Sequence, residues 1–131
     1  VEMVEQPLPS SQDADLLGLD CPVPICADES CHVASDVERL RGVYDIVNIK
    51  LDKTGGLTEA LRLADTARNA GMGYMVGCML GTSLAMAPAL ILAQGARYVD
   101  LDAPLLIGSD RTPHLTYDGP AIQPAPSGLW G

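Results

Sequence analysis

Apolar segments rich in β-branched residues alternate with helix-like segments along most of this 131-residue chain. Predicted strands begin near residues 2, 23, 46, 73 and 98, so the repeat is about 21 to 27 residues long. A helix between two strands acts as a crossover, and crossovers join parallel strands. The strands are almost continuously apolar, as expected when both faces of a parallel sheet are covered. The repeat therefore predicts an α/β fold with a parallel sheet.

Three helices are predicted between the later strands. Ser35 and Glu38 have the spacing of a capping box, which predicts a helix that begins there and ends near Gly42. A second helix is predicted from residue 57 to Gly71. Its apolar positions recur at helical spacing and are Leu57, Ala60, Leu61, Ala64 and Ala67. A third helix is predicted within 83–95, where Pro88 suits only a first turn.

The repeat ends after a last predicted strand at 96–106. The remaining residues, 107–131, contain four of the ten prolines and are predicted to form an extended tail that lies on other structure. Five parallel strands fit two architectures. One is an open doubly wound sheet, and the other is the second part of an eight-stranded β/α barrel. Periodicity alone leaves both open.

Composition excludes several classes of partner. With 17 acidic residues against 8 basic ones, the net charge is −9, which opposes binding to nucleic acid or to an anionic membrane surface. The longest apolar run, 84–93, contains Pro88 and is too short to span a bilayer. The start of the chain, VEMVEQPLPS, lacks the pattern of a signal peptide, and we expect a cytoplasmic protein.

The cysteines leave a minor alternative. Cys21, Cys26 and Cys31 are spaced C-x4-C-x4-C, which is wider than usual zinc pairs. Reduced thiols, buried or half-buried, are the preferred interpretation, and a zinc module is the alternative.

Polar residues recur at one phase of the repeat, at the end of each predicted strand. They are Glu5 and Gln6, Asp28 and Glu29, Lys50, Cys78, and Asp100 with Asp102. The carboxyl ends of parallel strands converge, and ligands bind there. Each residue alone has an ordinary explanation, such as capping the following helix or facing solvent. Their shared phase favours a site.

The charges at these strand ends suggest a reaction. Glu5 and Asp28 come from adjacent strands and would repel each other unless a cation lies between them, and oxygen ligands favour Mg²⁺. A metal can stabilise the enolate formed when a carbon next to a carboxylate loses its proton. Lys50, its pKa lowered by partial burial and by the metal, is then the candidate acid/base.

The segments VEQP, ADES, NIKLDKTGG, VGCM and DLDAP, in this order and spacing, resemble the enolase superfamily in its muconate-cycloisomerase-like subgroup, and most closely its dipeptide epimerases of the L-Ala-D/L-Glu kind. The resemblance covers nearly all of the chain. It implies a modified TIM-type β/α barrel, with a capping domain made from the N-terminal part of the protein and the C-terminal tail. Residues 1–106 then correspond to about the fourth to eighth barrel strands, and 107–131 to a tail that packs toward the capping domain.

The resemblance also implies roles for the strand-end residues. Glu5 and Asp28 match magnesium ligands, Lys50 matches the acid/base lysine, and Asp100 and Asp102 match the pair that holds a substrate ammonium. Two carboxylates in a partly closed site favour a cation, which indicates a dipeptide substrate. Glu29 and Cys78 are candidates for contacting and positioning these groups without touching the substrate themselves.

Two departures from the family pattern limit these assignments. The opposing lysine and a third carboxylate ligand of the family would precede Val1. Lys53 falls in the loop toward the next helix and is not expected to replace that lysine. Gly81 stands where many relatives carry a glutamate, which affects the prediction of the substrate pocket.

The expected activity is a magnesium-dependent epimerisation of dipeptides by a 1,1-proton transfer through an enediolate. N-acylamino-acid racemase, and cycloisomerase or dehydrating synthase, are alternatives within the superfamily. A non-catalytic half barrel is an alternative of another class. The chain is interpreted as a fragment that needs the N-terminal half of the same enzyme to cover its exposed strand edges. A homo-oligomer is expected, because relatives in the superfamily are often oligomeric.

Overall fold

A five-stranded parallel sheet forms the centre of the computed structural model, which describes residues 1–130. The strands pair in chain order, each with its sequence neighbour. They are β1 (Val4–Glu5), β2 (Ile25–Ala27), β3 (Ile46–Ile49), β4 (Gly73–Val76) and β5 (Tyr98–Val99). The prediction of an α/β fold with a parallel sheet is confirmed.

Six short to medium helices and a hairpin complete the structure. The helices are α1 (Val37–Leu40), α2 (Leu51–Thr54), α3 (Leu57–Asn69), α4 (Ser83–Met86), α5 (Ala89–Ala93) and α6 (Ala103–Leu106). Two 3-10 helices cover Ser10–Leu16 and Ala34–Asp36. An antiparallel hairpin joins β6 (Tyr117–Asp118) to β7 (Ala121–Ile122) near the end of the chain.

The two faces of the sheet are filled differently. Val47 and Ile49 of β3 point into a large core that also contains the buried residues of the helices. Ile46 of the same strand points to the other face, because side chains alternate along a strand. There it meets Cys26 and Met75 in a small cluster made of strand residues and their immediate neighbours. Helices on one face and packed strand side chains on the other are typical of a barrel rather than of a doubly wound sheet.

The start of α1 differs from the sequence prediction. Ser35 lies inside the 3-10 turn and does not cap the helix, so the predicted capping box with Glu38 is wrong. The carboxylate of Asp36 accepts hydrogen bonds from the backbone N–H groups of His32 and Val33 instead, at 2.8 and 2.9 Å. Asp36, the last residue of the 3-10 helix, thus reaches back and satisfies two N–H groups that precede this helix.

Helix α3 confirms the predicted segment with one change in its buried face. Leu61 is 42% exposed, whereas Leu63 is fully buried. Gly71 ends the segment with a φ of +78°, a left-handed conformation that glycine adopts without strain.

Two predicted elements in the later part of the chain are divided. The helix predicted within 83–95 consists of α4 and α5, and Pro88 stands directly before α5, where its missing N–H costs nothing. The strand predicted at 96–106 ends at Val99 and is followed by α6, with proline in the first turn. Pro104 suits a helix start as well as it opposes a continuing strand.

The C-terminal tail carries more structure than the predicted extended segment. Besides the hairpin, Leu115 and Leu129 are buried in the large core. The hydroxyl oxygen of Ser83 accepts a hydrogen bond from the N–H of Leu115 at 2.9 Å. The tail is therefore attached to the strands and helices before it.

Residues 1–130 contain no helix with the length and apolar character needed to cross a membrane. Within these residues, β1 and β5 each have a strand neighbour on one side only.

Candidate active site

The carboxyl edge of the sheet carries the residues that the sequence singled out. Glu5 is the last residue of β1, Asp28 follows β2, Lys50 follows β3, and Asp100 follows β5. The register pairs Glu5 with Cys26, so Asp28 lies two residues beyond the level of Glu5 on the neighbouring strand. The predicted convergence of these residues is found in the structure.

Asp28 is held between two lysines. Lys50 Nζ lies 2.6 Å from Asp28 Oδ2, and Lys53 Nζ lies 2.6 Å from Asp28 Oδ1. Lys53 also donates to the backbone oxygens of Asp28 at 2.6 Å and of Asn48 at 2.9 Å. The exposed fractions of the side chains are 14% for Lys50, 7% for Lys53 and 11% for Asp28. Charge-assisted bonds this far from solvent fix the carboxylate in place.

The pKa values in this cluster follow from the ion pairs. Burial alone would raise the pKa of Asp28, but the hydrogen bonds from Lys50 and Lys53 outweigh it and hold the pKa below its usual range. Burial would lower the pKa of Lys50, yet the hydrogen bond to Asp28 outweighs it and raises the pKa. The sequence led us to expect a lowered pKa for Lys50. Within this chain the Asp28 carboxylate acts in the opposite direction, so the lowered pKa depends on the metal and stays a prediction.

Glu5 is oriented by a buried amide. Asn48, which is 1% exposed, donates from Nδ2 to Glu5 Oε1 at 2.5 Å. Asn48 Oδ1 is buried and has no hydrogen-bond partner in the structure of residues 1–130. Gly77 leaves room for this amide, since a Cβ on Gly77 would lie 2.7 Å from Asn48 Oδ1. Neither Asn48 nor Gly77 was among the predicted site residues.

Gly77→Ala should therefore destabilise the protein by about 1–3 kcal/mol, because the added methyl overpacks a buried amide. It should also release Glu5 from Asn48. Chemical denaturation would measure the change. Gly108→Ala is the matched control, since a Cβ on Gly108 meets nothing within 4 Å. Equal stability of the two variants would contradict the assigned contact.

Gln6 holds the start of the loop that carries Asp28. Its Oε1 accepts from the backbone N–H of Asp28 at 2.8 Å and of Ser30 at 3.2 Å. Its Nε2 donates to the Ser30 and Tyr44 hydroxyls, both at 2.9 Å, and to the Leu8 carbonyl at 2.8 Å. Gln6 adopts a φ of +37°, which strains a residue other than glycine. Its hydrogen bonds offset this strain.

Asp13 extends the network behind Gln6. The Ser30 and Tyr44 hydroxyls each donate to its carboxylate at 2.7 Å, and Arg39 donates at 2.8 Å. Burial would raise the pKa of Asp13, but these bonds hold it below its usual range. The network ties the first 3-10 helix to the loop after β2.

The acidic pair lies beyond β5. Asp100 and Asp102 are both exposed. Burial raises the pKa of Asp100, and the charge and hydrogen bonding of Asp102 raise it further, so the two carboxyl groups lie close together. Cys78 is half-buried nearby, and burial followed by the charges of Asp100 and Asp102 raises its pKa. Glu29 is exposed, and its charge contributes weakly to raising the pKa of Lys50.

The chain supplies part of a metal site. Within residues 1–130, no three His, Cys, Asp or Glu side chains come together in an arrangement that could hold a metal. Cys26 and Cys31 lie in different core clusters, which does not favour the zinc alternative. Glu5 and Asp28 fit a hard cation in the kind of atom they offer, as two oxygen ligands on adjacent strands.

A cavity of about 610 Å³ lies at the other edge of the sheet, among loops that include Arg41 and Arg97.

Asn48 is the functional candidate that the sequence analysis missed, whereas Gln6 and Lys53 were named there without a role in the site. The signal for Asn48 was available, since it lies two residues before Lys50 and strand alternation puts both on one face. The sequence predicts that Lys53 lies in the loop toward the next helix. It lies in α2, and its long side chain folds back to the strand ends.

Comparison with known proteins identifies the family. A family model described as Enolase C-terminal domain-like matches residues 1–118. The chain belongs to this family. An N-acetyl-D-glutamate racemase from a Pseudoalteromonas species is 55% identical over 131 residues, covering 100% of this chain and 42% of that protein. The L-Ala-D/L-Glu epimerase of Escherichia coli K12 is 53% identical over 117 residues, covering 89% of this chain and 36% of that protein.

A solved structure of an enolase family member from Agrobacterium tumefaciens, with homology to dipeptide epimerases, matches with a TM-score of 0.97 at 55% identity. The match covers 100% of this chain and 40% of that one, which contains sodium and L-Ala-L-Glu. Other similar structures are of dipeptide epimerases with Mg and a dipeptide. The sheet thus corresponds to the C-terminal part of an enolase-family barrel. This chain spans about two fifths of the length of these relatives.

Proposed function

We propose that this chain supplies the C-terminal part of the barrel of a magnesium-dependent dipeptide epimerase. The observation that carries the proposal is the meeting of Lys50 with Asp28 at the carboxyl edge of the sheet, on the same edge as the paired Asp100 and Asp102. The family and the names of the similar proteins support the same reaction class.

The residues divide the reaction between them. Glu5 and Asp28 would hold Mg²⁺, which supplies positive charge for the substrate carboxylate when bound. Lys50 takes the α-proton from one face of the substrate carbon, or returns it there. Inversion needs a second acid/base on the opposite face, and we assign this role to a lysine outside the chain. Asn48 holds Glu5, while Gln6 and Lys53 hold Asp28.

Asp100 and Asp102 are proposed to bind the free ammonium of the dipeptide. Burial raises the pKa of Asp100, and the charge of the neighbouring Asp102 raises it further. A substrate cation relieves this repulsion, whereas an N-acyl group cannot. Cys78 lies near Asp100 and Asp102, and Glu29 lies near Lys50. We propose that these two residues help to position the groups that contact the substrate.

The remaining predictions complete the proposal. Residues 1–106 would be the barrel part, and 107–131 would pack toward a capping domain from the N-terminal part of the same enzyme. The free outer sides of β1 and β5 and the partial coverage of the relatives support a missing portion. A homo-oligomer and a cytoplasmic location remain predictions.

N-acylamino-acid racemase is the second candidate. It is favoured by the 55% identity with an N-acetyl-D-glutamate racemase over 131 residues. Both activities use the same carboxylate and the same proton transfer, so Lys50, Glu5 and Asp28 would keep their roles. The two differ in whether the substrate carries a free ammonium.

Deuterium exchange distinguishes the two candidates. The complete enzyme containing this segment would be incubated with Mg²⁺ in D₂O, and loss of the α-proton followed by NMR. The substrates are L-Ala-L-Glu, other L-Ala dipeptides, and N-acetyl and N-succinyl amino acids. Exchange on free dipeptides is expected. Exchange only on N-acyl substrates would replace the proposal with the racemase, and no exchange on any substrate would overturn both.

Asp102→Asn checks the ammonium role within this assay. KM for dipeptides should rise much more than KM for N-acyl substrates, because one charge of the pair is removed. Asp118→Asn, which changes an exposed carboxylate in β6, is the matched control. Equal effects of Asp102→Asn on both substrate classes would contradict the assigned role.

A further inference from the structure

The C-terminal hairpin places a phenol beside the acidic pair. Tyr117 lies in β6, and its hydroxyl donates to the backbone oxygen of Leu101 at 2.7 Å. Leu101 stands between Asp100 and Asp102, and its side chain is buried. A residue of the tail therefore holds the peptide unit that separates the two carboxylates.

Two more hydrogen bonds fix the ends of this short segment. The N–H of Asp100 donates to the oxygen of Val76 at 2.8 Å, and the oxygen of Asp102 accepts from the N–H of Leu105 at 2.8 Å. Both come from the barrel part of the chain. The bond from Tyr117 comes from the C-terminal tail, so the position of the acidic pair also depends on where the tail lies.

The surroundings of Tyr117 keep its hydroxyl a donor. Burial raises its pKa to about 12, with further contributions from Cys78, Asp110 and Asp102. The hydroxyl therefore stays protonated near neutral pH and can donate its hydrogen bond. The hairpin itself is anchored through Asp110, whose carboxylate accepts hydrogen bonds from the backbone N–H and the hydroxyl of Ser83 in α4. The N–H of Leu115 binds the same hydroxyl.

We propose that Tyr117 is a positioning residue that sets the spacing of Asp100 and Asp102, and thereby the preference for substrates with a free ammonium. The inference rests on the proposed ammonium role of that pair. It assigns to the C-terminal tail a part in substrate selection besides its packing. Without the bond to Leu101, the segment between the carboxylates is released on the tail side, and the pair holds a cation less well.

Tyr117→Phe in the complete enzyme tests this inference, because it removes the hydroxyl and keeps the ring. Calorimetry would measure the ratio of the Kd for L-Ala-L-Glu to the Kd for N-acetyl-L-glutamate. The ratio should rise about 3- to 10-fold, the effect of losing one hydrogen bond of ordinary strength. In the kinetic assay, KM for the dipeptide should rise by the same factor while kcat changes little.

Tyr74→Phe is the matched control. The Tyr74 hydroxyl also donates to a backbone oxygen, that of Leu92 at 2.9 Å, but lies in the large core between β4 and α5. It should lower stability without changing the ratio of the two Kd values. An unchanged ratio in Tyr117→Phe, or an equal loss of both ligands, would overturn the inference. Failure of the proposed function appears separately, as absence of α-proton exchange in the parent enzyme.

Discussion

Lys50→Ala should abolish α-proton exchange from one enantiomeric series of substrates and leave the protein folded. General acid–base groups contribute about 10²- to 10⁴-fold, and this one transfers the proton of the reaction itself, so a loss of at least about 10³-fold is expected. Asp28 keeps its ion pair with Lys53, which preserves the local structure. NMR exchange in D₂O with each enantiomer, and circular dichroism for folding, would measure the two effects.

Lys50→Arg separates charge from chemistry. A guanidinium can keep the ion pair with Asp28. It stays protonated near neutral pH, however, and so cannot serve as the base. Both variants should therefore lose the same direction of exchange. Equal residual activity in both directions would remove Lys50 from the acid/base role. A loss in Lys50→Ala that Lys50→Arg restored would indicate that only the charge is needed.

Lys53→Met should destabilise the complete protein by about 3 kcal/mol. Removing one partner of a buried ion pair leaves a buried charge without compensation, and the usual cost is about 3–5 kcal/mol. The value should fall at the lower end, because Lys50 still contacts the other oxygen of Asp28. Methionine keeps most of the apolar stem, so the change reports on the ammonium. Urea denaturation would give the difference from the shift of the midpoint.

Arg62→Met is the control for this variant. Arg62 is 72% exposed and lies 3.5 Å from Glu59, a pair of the surface kind that contributes less than about 1 kcal/mol. A Lys53→Met variant as stable as Arg62→Met would show that the buried pair contributes little. Lys53→Met should also change the affinity for Mg²⁺, because the position of Asp28 is no longer fixed by two ammonium groups.

The sequence predicted the parts of the site that depend on chain periodicity. Glu5, Asp28 and Lys50 each end a strand, and a regular repeat is sufficient to bring such residues to one edge. The sheet order and the parallel direction follow from the same repeat. Periodicity alone left the choice between an open sheet and a barrel open. The resemblance implied the barrel, and the face that Cys26, Ile46 and Met75 fill agrees with it.

The sequence could not predict contacts that depend on a long side chain or on an unusual backbone conformation. The ammonium of Lys53 reaches back from a helix to the strand ends, and Gln6 adopts a left-handed backbone that its amide bonds hold in place. The capping box at Ser35 is not formed because Ser35 lies inside the 3-10 helix, and Asp36 instead accepts hydrogen bonds from the N–H groups of His32 and Val33. Tyr117 lies 16 residues along the chain from Leu101, across a helix and a loop, and no local pattern connects the two.

The order of the strands has a consequence for biosynthesis. Each strand pairs with the one made just before it, so every contact of the sheet is available as soon as the next βα unit leaves the ribosome. Contacts of short sequence separation form faster than distant ones. The growing chain can therefore add its units one at a time, in the order of translation. The tail, with the tyrosine that contacts the segment of the acidic pair, follows the strands in the chain, so the part proposed to select the substrate is added after the sheet that carries it.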